Sequence, residues 1–127
     1  MIEIKGPHRL DHIDYYVREN GPGVYLLSND GERIEAVGRS DSNVREAIMK
    51  ACYVQRGVDT KFSYFWFAFT TSAKEAFGEH CKLWHRYMYM KGIETHPSPA
   101  EGNGKLGCPL TECAWNDAHG LTSDDYF

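Results

Sequence analysis

Gly23-Val24-Tyr25-Leu26-Leu27, Asn29-Asp30-Gly31, Ile34-Glu35-Ala36-Val37-Gly38 and Arg39-Ser40-Asp41-Ser42-Asn43-Val44-Arg45 follow one another with few interruptions. The two apolar runs flank an Asp-Gly pair, whose glycine accepts the positive dihedral of a tight turn. Residues 24–28 and 33–37 therefore read as a hairpin. Asp41 or Ser42 then caps a helix to about residue 54, with Val44, Ile48, Ala51 and Cys52 along one face.

Upstream, residues 1–22 carry mixed signals. Leu10, Ile13, Tyr16 and Val17 fall near helical spacing, yet the same segment suits a short extended arm, and Gly21-Pro22-Gly23 ends it. Downstream, Arg56-Gly57-Val58-Asp59 is a connection. Residues 62–69 form the strongest strand signal, aromatic on both faces and hence expected at the centre of the sheet. Ser72 and Glu75 make a capping box that opens a long helix to about Tyr89, ending near Gly92. Its expected inner face is Ala76, Phe77, His80, Leu83, Trp84 and Tyr87. From Ile93 onward Pro97, Pro99, Gly102, Gly104, Gly107 and Pro109 predict irregular chain, which in a compact domain is functional or tied down by something besides packing. The acidic end, 123–127, is expected to fray.

The order hairpin, helix, strand, long helix predicts a single α+β domain over 1–127. A small, three-stranded, mainly antiparallel sheet is flanked by helices, with a core of about 22–90 and an irregular extension over 93–127. The chain has 127 residues, 42% of them apolar, which suffices for a core without compulsory cross-links. No apolar run approaches a membrane span, and residues 1–5 lack the form of a secretory signal, so the expected location is cytoplasmic. The net charge of −4 works against bulk attraction to nucleic acid. Locally, Arg33, Arg39, Arg45, Lys50, Arg56 and Lys61 outnumber Glu35, Asp41, Glu46 and Asp59, which allows a basic groove.

Gly23-Val24-Tyr25, Val37-Gly38-Arg39-Ser40 and Asn43-Val44-Arg45, in this order and context, resemble the GIY-YIG endonucleases over roughly residues 22–90. The resemblance implies hydrolysis of DNA with Mg2+ or Mn2+. Tyr25 would be the general base, Arg39 and Arg45 would lie on the phosphate, and Glu79 or His80 near the ion. A phenol titrates near ~10, so Tyr25 needs neighbouring positive charge to serve as a base. That scheme requires Tyr25 and Arg39 to share a cleft with the polar edge of the long helix. Several family positions are replaced: Ala36 stands for the second tyrosine, Ala47 for a helical arginine, and His80 for the metal-binding glutamate. Asn103 is the nearest counterpart of the asparagine that usually follows. The alternative is a non-catalytic module with the same fold that binds nucleic acid or a protein partner.

The cysteines and histidines carry a separate message. Cys81 and His85, four apart on the long helix, project from one face, and Cys108 and Cys113 supply two more sulfurs from irregular chain. Together they compose a Cys3His tetrahedron of the kind that binds Zn2+ structurally, with His96 as a substitute ligand. Unligated thiols are the competing reading, and Cys52 reads as core. The tryptophans Trp66, Trp84 and Trp115 read as core and flank.

Overall fold

Pairing of the strand with the densest aromatic content organises the molecule. A computed structural model describes residues 2–53, 61–100 and 105–127. The predicted connection Arg56–Asp59 and the candidate Asn103 lie outside the described residues. Strand β4 (Tyr64–Phe69) pairs antiparallel with β2 (Gly23–Ser28) on one side and with β1 (Lys5–Arg9) on the other. Strand β3 (Ala36–Ser40) completes the order β1-β4-β2-β3. The sheet thus has four strands rather than three, and β4 is internal as its apolar character demands. β1 escaped the sequence because Lys5-Gly6-Pro7-His8-Arg9 shows no alternation and is largely exposed. Its one qualification as a strand is the partner it finds in β4.

Short helix α1 (Ile13–Tyr16), α2 (Val44–Cys52) and α3 (Ala73–Tyr87) pack around this sheet, and α4 (Ala114–Ala118) sits against α3. Among the described residues, no helix is long and apolar enough to cross a membrane. One sheet face, with Leu27 and Phe65, packs against α1 and α2 through Ile13, Val17, Val44 and Ile48. On the other face Val24, Leu26 and Ala68 meet Leu83 of α3. The alternation of side chains along β2 therefore sends its odd-numbered residues toward α2 and its even-numbered ones toward α3.

Several local expectations shift. The chain between β2 and β3 is wider than a two-residue turn, because Ser28 and Asp30 collect the amides of Asp30, Gly31, Glu32 and Arg33 on their side-chain oxygens. That loop moves the second strand from 33–37 to 36–40. Asn43, not Asp41 or Ser42, caps α2 by accepting from the Glu46 amide at 3.1 Å. At α3, Ser72 accepts from the Glu75 amide as expected, but the Glu75 carboxylate takes the Thr71 amide instead of that of Ser72. The end of the chain is docked rather than frayed. Thr122 and Asp125 form a capping box, and the Tyr126 ring lies on Gly78, where an added Cβ would meet the phenol oxygen at 2.3 Å.

Candidate metal centre

Helix α3 and the irregular chain after it converge on four potential metal ligands. His85, His96, Cys108 and Cys113 each offer a donor atom, and these atoms all lie within 4.8 Å of one another. His85 Nε2 is 3.6 Å from Cys108 Sγ, and His96 Nε2 is 3.5 Å from Cys113 Sγ. Bond lengths of 2.0–2.3 Å around a tetrahedral ion give ligand-to-ligand edges of about 3.3–3.8 Å, so both pairs have the right span. The set can hold a metal ion. Three of its members are buried and the fourth, His85, is half-buried, which leaves little room for a substrate.

Each ligand is positioned by its surroundings. His85 projects from the last turn of α3. The Trp84 indole N–H donates to Thr95 Oγ1 at 2.9 Å, and that hydroxyl donates to the Gly92 carbonyl, which folds the 93–95 turn back onto the helix. His96 follows directly. Its Nδ1–H donates to the Pro97 carbonyl at 2.7 Å, leaving the Nε2 lone pair to face Cys113. Cys108 is clamped by Asn116, whose Oδ1 accepts the Cys108 amide and whose Nδ2 donates to the Cys108 carbonyl, both at 2.9 Å. Asn116 is 2% exposed, a buried amide with its bonds satisfied by a single ligand's backbone.

The electrostatics favour a thiolate at Cys108. A hydrogen bond from Cys81 is the main influence lowering its pKa, with His96, the Leu110 amide and His85 adding to it against the cost of burial. Burial pushes the Cys113 thiol up, although the Asn116 and Trp115 amides pull the other way. Aromatic rings enclose the imidazoles. His96 stacks on Trp115 at 4.9 Å, and the Trp84 ring sits edge-on to both His85 and His96.

His96 takes the place that the sequence assigns to Cys81. The four donors that lie within 4.8 Å of one another include His85 from α3 but not Cys81, four residues earlier on the same helix. Cys81 is fully buried in the same apolar cluster as Cys108 and Cys113, beside the four donors rather than among them. Asn116 had no signal in the sequence, because its partner is a backbone eight residues away. His96 had one, its place just before Pro97 in a segment short of other anchors.

The residues implied by the nuclease resemblance are distributed differently. Tyr25 pairs across the strands with Gly38, and Arg39 with Val24. Directly paired residues share a face, so Tyr25 lies on the α2 side and Arg39 on the α3 side, with the sheet between them. The Tyr25 ring crosses Gly38 so closely that a Cβ there would be 2.3 Å from its hydroxyl. Burial, and then Cys52, push the phenol pKa up, away from the phenolate that a base requires.

Arg39 donates to Asp41 at 3.0 Å, to His80 Nδ1 at 3.1 Å and to the Ser98 carbonyl. Burial, followed by the charges of Arg39 and His96, pushes His80 down to about 3, so it is neutral near pH 7. Arg45 pairs with Asp14, and Glu79 with Lys82 at 3.2 Å. The structure thus brings Arg39 and His80 together and leaves Tyr25, Arg45 and Glu79 out of their company. Comparison with protein-family models, curated proteins and solved structures finds no match.

Proposed function

We propose that this protein is a zinc-stapled binding module whose partner is single-stranded DNA. The observation that carries the zinc assignment is the closed set of two imidazoles and two thiols, with donor spacing suited to a tetrahedral ion. Borderline-soft Zn2+ suits mixed nitrogen and sulfur ligands, and a site with all four positions filled by protein is structural rather than hydrolytic. In this reading the ion fixes residues 93–127 against α3 and performs no reaction.

The binding surface is an aromatic groove of about 540 Å3 beside β1 and β4, lined by Lys5, His8, Tyr16, Phe67 and Phe69 among others. Tyr15 is 65% exposed, and Tyr16 and Phe69 are each 38% exposed. His8 stacks on Tyr16 at 3.8 Å, and Phe67 meets Phe69 edge-on. Bases stack on such faces with little regard to sequence. Arg9 and Arg45 are occupied by Asp11 and Asp14, leaving Lys5 in the groove and Arg18 over the Tyr15 ring to meet phosphate. Stacking therefore supplies more of the affinity than charge, which accommodates the net charge of −4.

Purified protein should carry about one zinc per chain and bind an unstructured oligodeoxynucleotide. Two phosphate contacts imply a log–log salt slope of about −1.4. Replacing Phe69 or Tyr16 by Ala should weaken binding while metal content stays unchanged. Absence of binding at low salt would transfer the surface to a protein partner. The competing reading is Mg2+- or Mn2+-dependent DNA hydrolysis of the GIY-YIG kind, favoured by the order of hairpin, glycine and helix. Nicking that Tyr25→Phe abolishes would establish it and overturn the binding-module reading.

A further inference from the structure

The two edges of the sheet are built differently. An edge strand presents unpaired N–H and C=O groups that recruit another strand unless something blunts them. At β1 the blunting is visible: Pro7 has no N–H to offer, and the pairing with β4 shifts register between Lys5 and His8. β3 has neither device. Residues Ala36–Ser40 pair with β2 in unbroken register, and among the described residues no backbone segment pairs with their outer side. The charge on this strand, Arg39, turns inward to His80 rather than guarding the edge.

A groove runs beside that edge. Its cavity of about 230 Å3 is lined by Ala36 and Val37 on one side and by His80, Trp84 and Met88 on the other. Ala36 packs with the core on the α2 side and Val37 with the core on the α3 side, so a cavity touching both lies along the strand's edge. His80, Trp84 and Met88 are four apart, on one face of α3 and its cap. Eight residues of helix span about 12 Å, the length of about four residues of extended chain. The Trp84 N–H is bonded to Thr95, which leaves its ring as an apolar wall. A guanidinium only donates, so His80 Nδ1 accepts from Arg39 and Nε2 carries the hydrogen; among the described residues that N–H has no partner. Lys91 also lines the groove and makes no ion pair among the described residues. Glu35, at the same rim, is engaged through Oε2 with the Asn29 amide.

We propose that this edge is a docking site for an extended acidic peptide, which joins the sheet as a fifth strand beside β3. Its backbone pairs with the outward groups of β3, and an apolar side chain enters between Val37, Trp84 and Met88. An acidic side chain meets Lys91, and a backbone carbonyl accepts from His80 Nε2. Strand addition of this kind draws affinity from main-chain hydrogen bonds and specificity from alternate side chains. The sheet order β1-β4-β2-β3 puts this edge opposite the aromatic groove at β1, so the site stands apart from the DNA reading.

The test titrates isotope-labelled full chain, its zinc content measured, with pools of acetylated, amidated hexapeptides alternating Thr with Val, Ile, Leu or Phe. One pool carries Glu at either end, and its counterpart carries Lys. The Glu pool should shift the amides of residues 36–40 and slow hydrogen exchange at alternate ones, leaving β1 unmoved. Lys91 is exposed, so Lys91→Glu should keep the fold and reverse the preference between pools, each preference being about two- to fivefold. N-methylation of alternate residues in a binding peptide should abolish binding in one register and spare it in the other. No shift from either pool at millimolar peptide, shifts confined to β1, or equal loss from both methylated registers would overturn the proposal. An unchanged preference in Lys91→Glu would overturn the acidic assignment. Protection of the β3 amides by protein concentration alone, with a dimer in sedimentation, would give the edge to a second copy and overturn the peptide.

Discussion

Phe65 in β4 and Cys108 after α3 are both fully buried, yet different forces hold them there. Phe65 lies in a cluster with Leu10, Ile13, Val17, Leu27 and Ile48, drawn from the strand pair β2 and β4, the segment 10–17 around α1, and α2. Burying such apolar side chains contributes about 1.5–3 kcal/mol each, and backbone ladders satisfy the intervening amides. Cys108 sits with Phe77, Cys81, Cys113 and Trp115, in chain whose nearby regular structure is the five-residue α4. Its amide and carbonyl are satisfied by one side chain, Asn116, and its sulfur by other thiols and imidazoles. Apolar packing can stabilise the first region unaided. In the zinc reading the second is held by the ion, because five residues of helix and a few apolar contacts do little to offset the entropy of ordering so much irregular chain.

That contrast is most directly broken at the metal. Structural zinc contributes about 10–16 kcal/mol in small peptide domains, so chelation or His96→Ala should release residues 93–127 while the sheet persists. Hydrogen exchange would show protection lost after α3 and kept in β2 and β4; uniform loss would mean that the two regions fold as one. Next in size is Phe65→Ala, expected to cost about 3–5 kcal/mol through the cavity it leaves. It should lower the urea midpoint for the sheet even with zinc bound. Asn116→Ala removes both bonds to Cys108 and should cost about 1–3 kcal/mol, with zinc affinity falling by roughly 10–100-fold. Competition with a chromogenic chelator would measure it.

The smallest effect is acid sensitivity at His80. Its folded pKa is depressed to about 3 from 6.5, so between those values the unfolded chain binds the additional proton and stability falls as pH falls. From pH 7 to 6 this amounts to about 0.7 kcal/mol, following from an unfolded pKa of 6.5. His80→Gln keeps an acceptor for Arg39 and should flatten that part of the profile. An unchanged slope would show that His80 is not held neutral by its burial.

Legibility differed between the same two regions. The hairpin, both principal helices and the central aromatic strand follow from periodicity and turn chemistry, which act over a few residues. β1 did not, because an exposed edge strand with Gly and Pro has pairing as its one determinant. The metal set was legible as a mixture of Cys and His on a helix and an irregular tail. The choice between Cys81 and His96 was not, because it depends on how Trp84 and Thr95 fold the 93–95 turn back onto α3.

By itself the sequence determined that an apolar hairpin, a covered aromatic strand and two amphipathic helices would build an α+β domain. It also determined that thiols and imidazoles would be available to secure the rest. Tertiary structure alone decided which sheet face each polar group occupies. Register does that work: Tyr25 opposite Gly38 and Arg39 opposite Val24 put the phenol and the guanidinium on opposite sides. Alternation along a strand is local, but the face that meets a given helix is chosen by packing among distant segments.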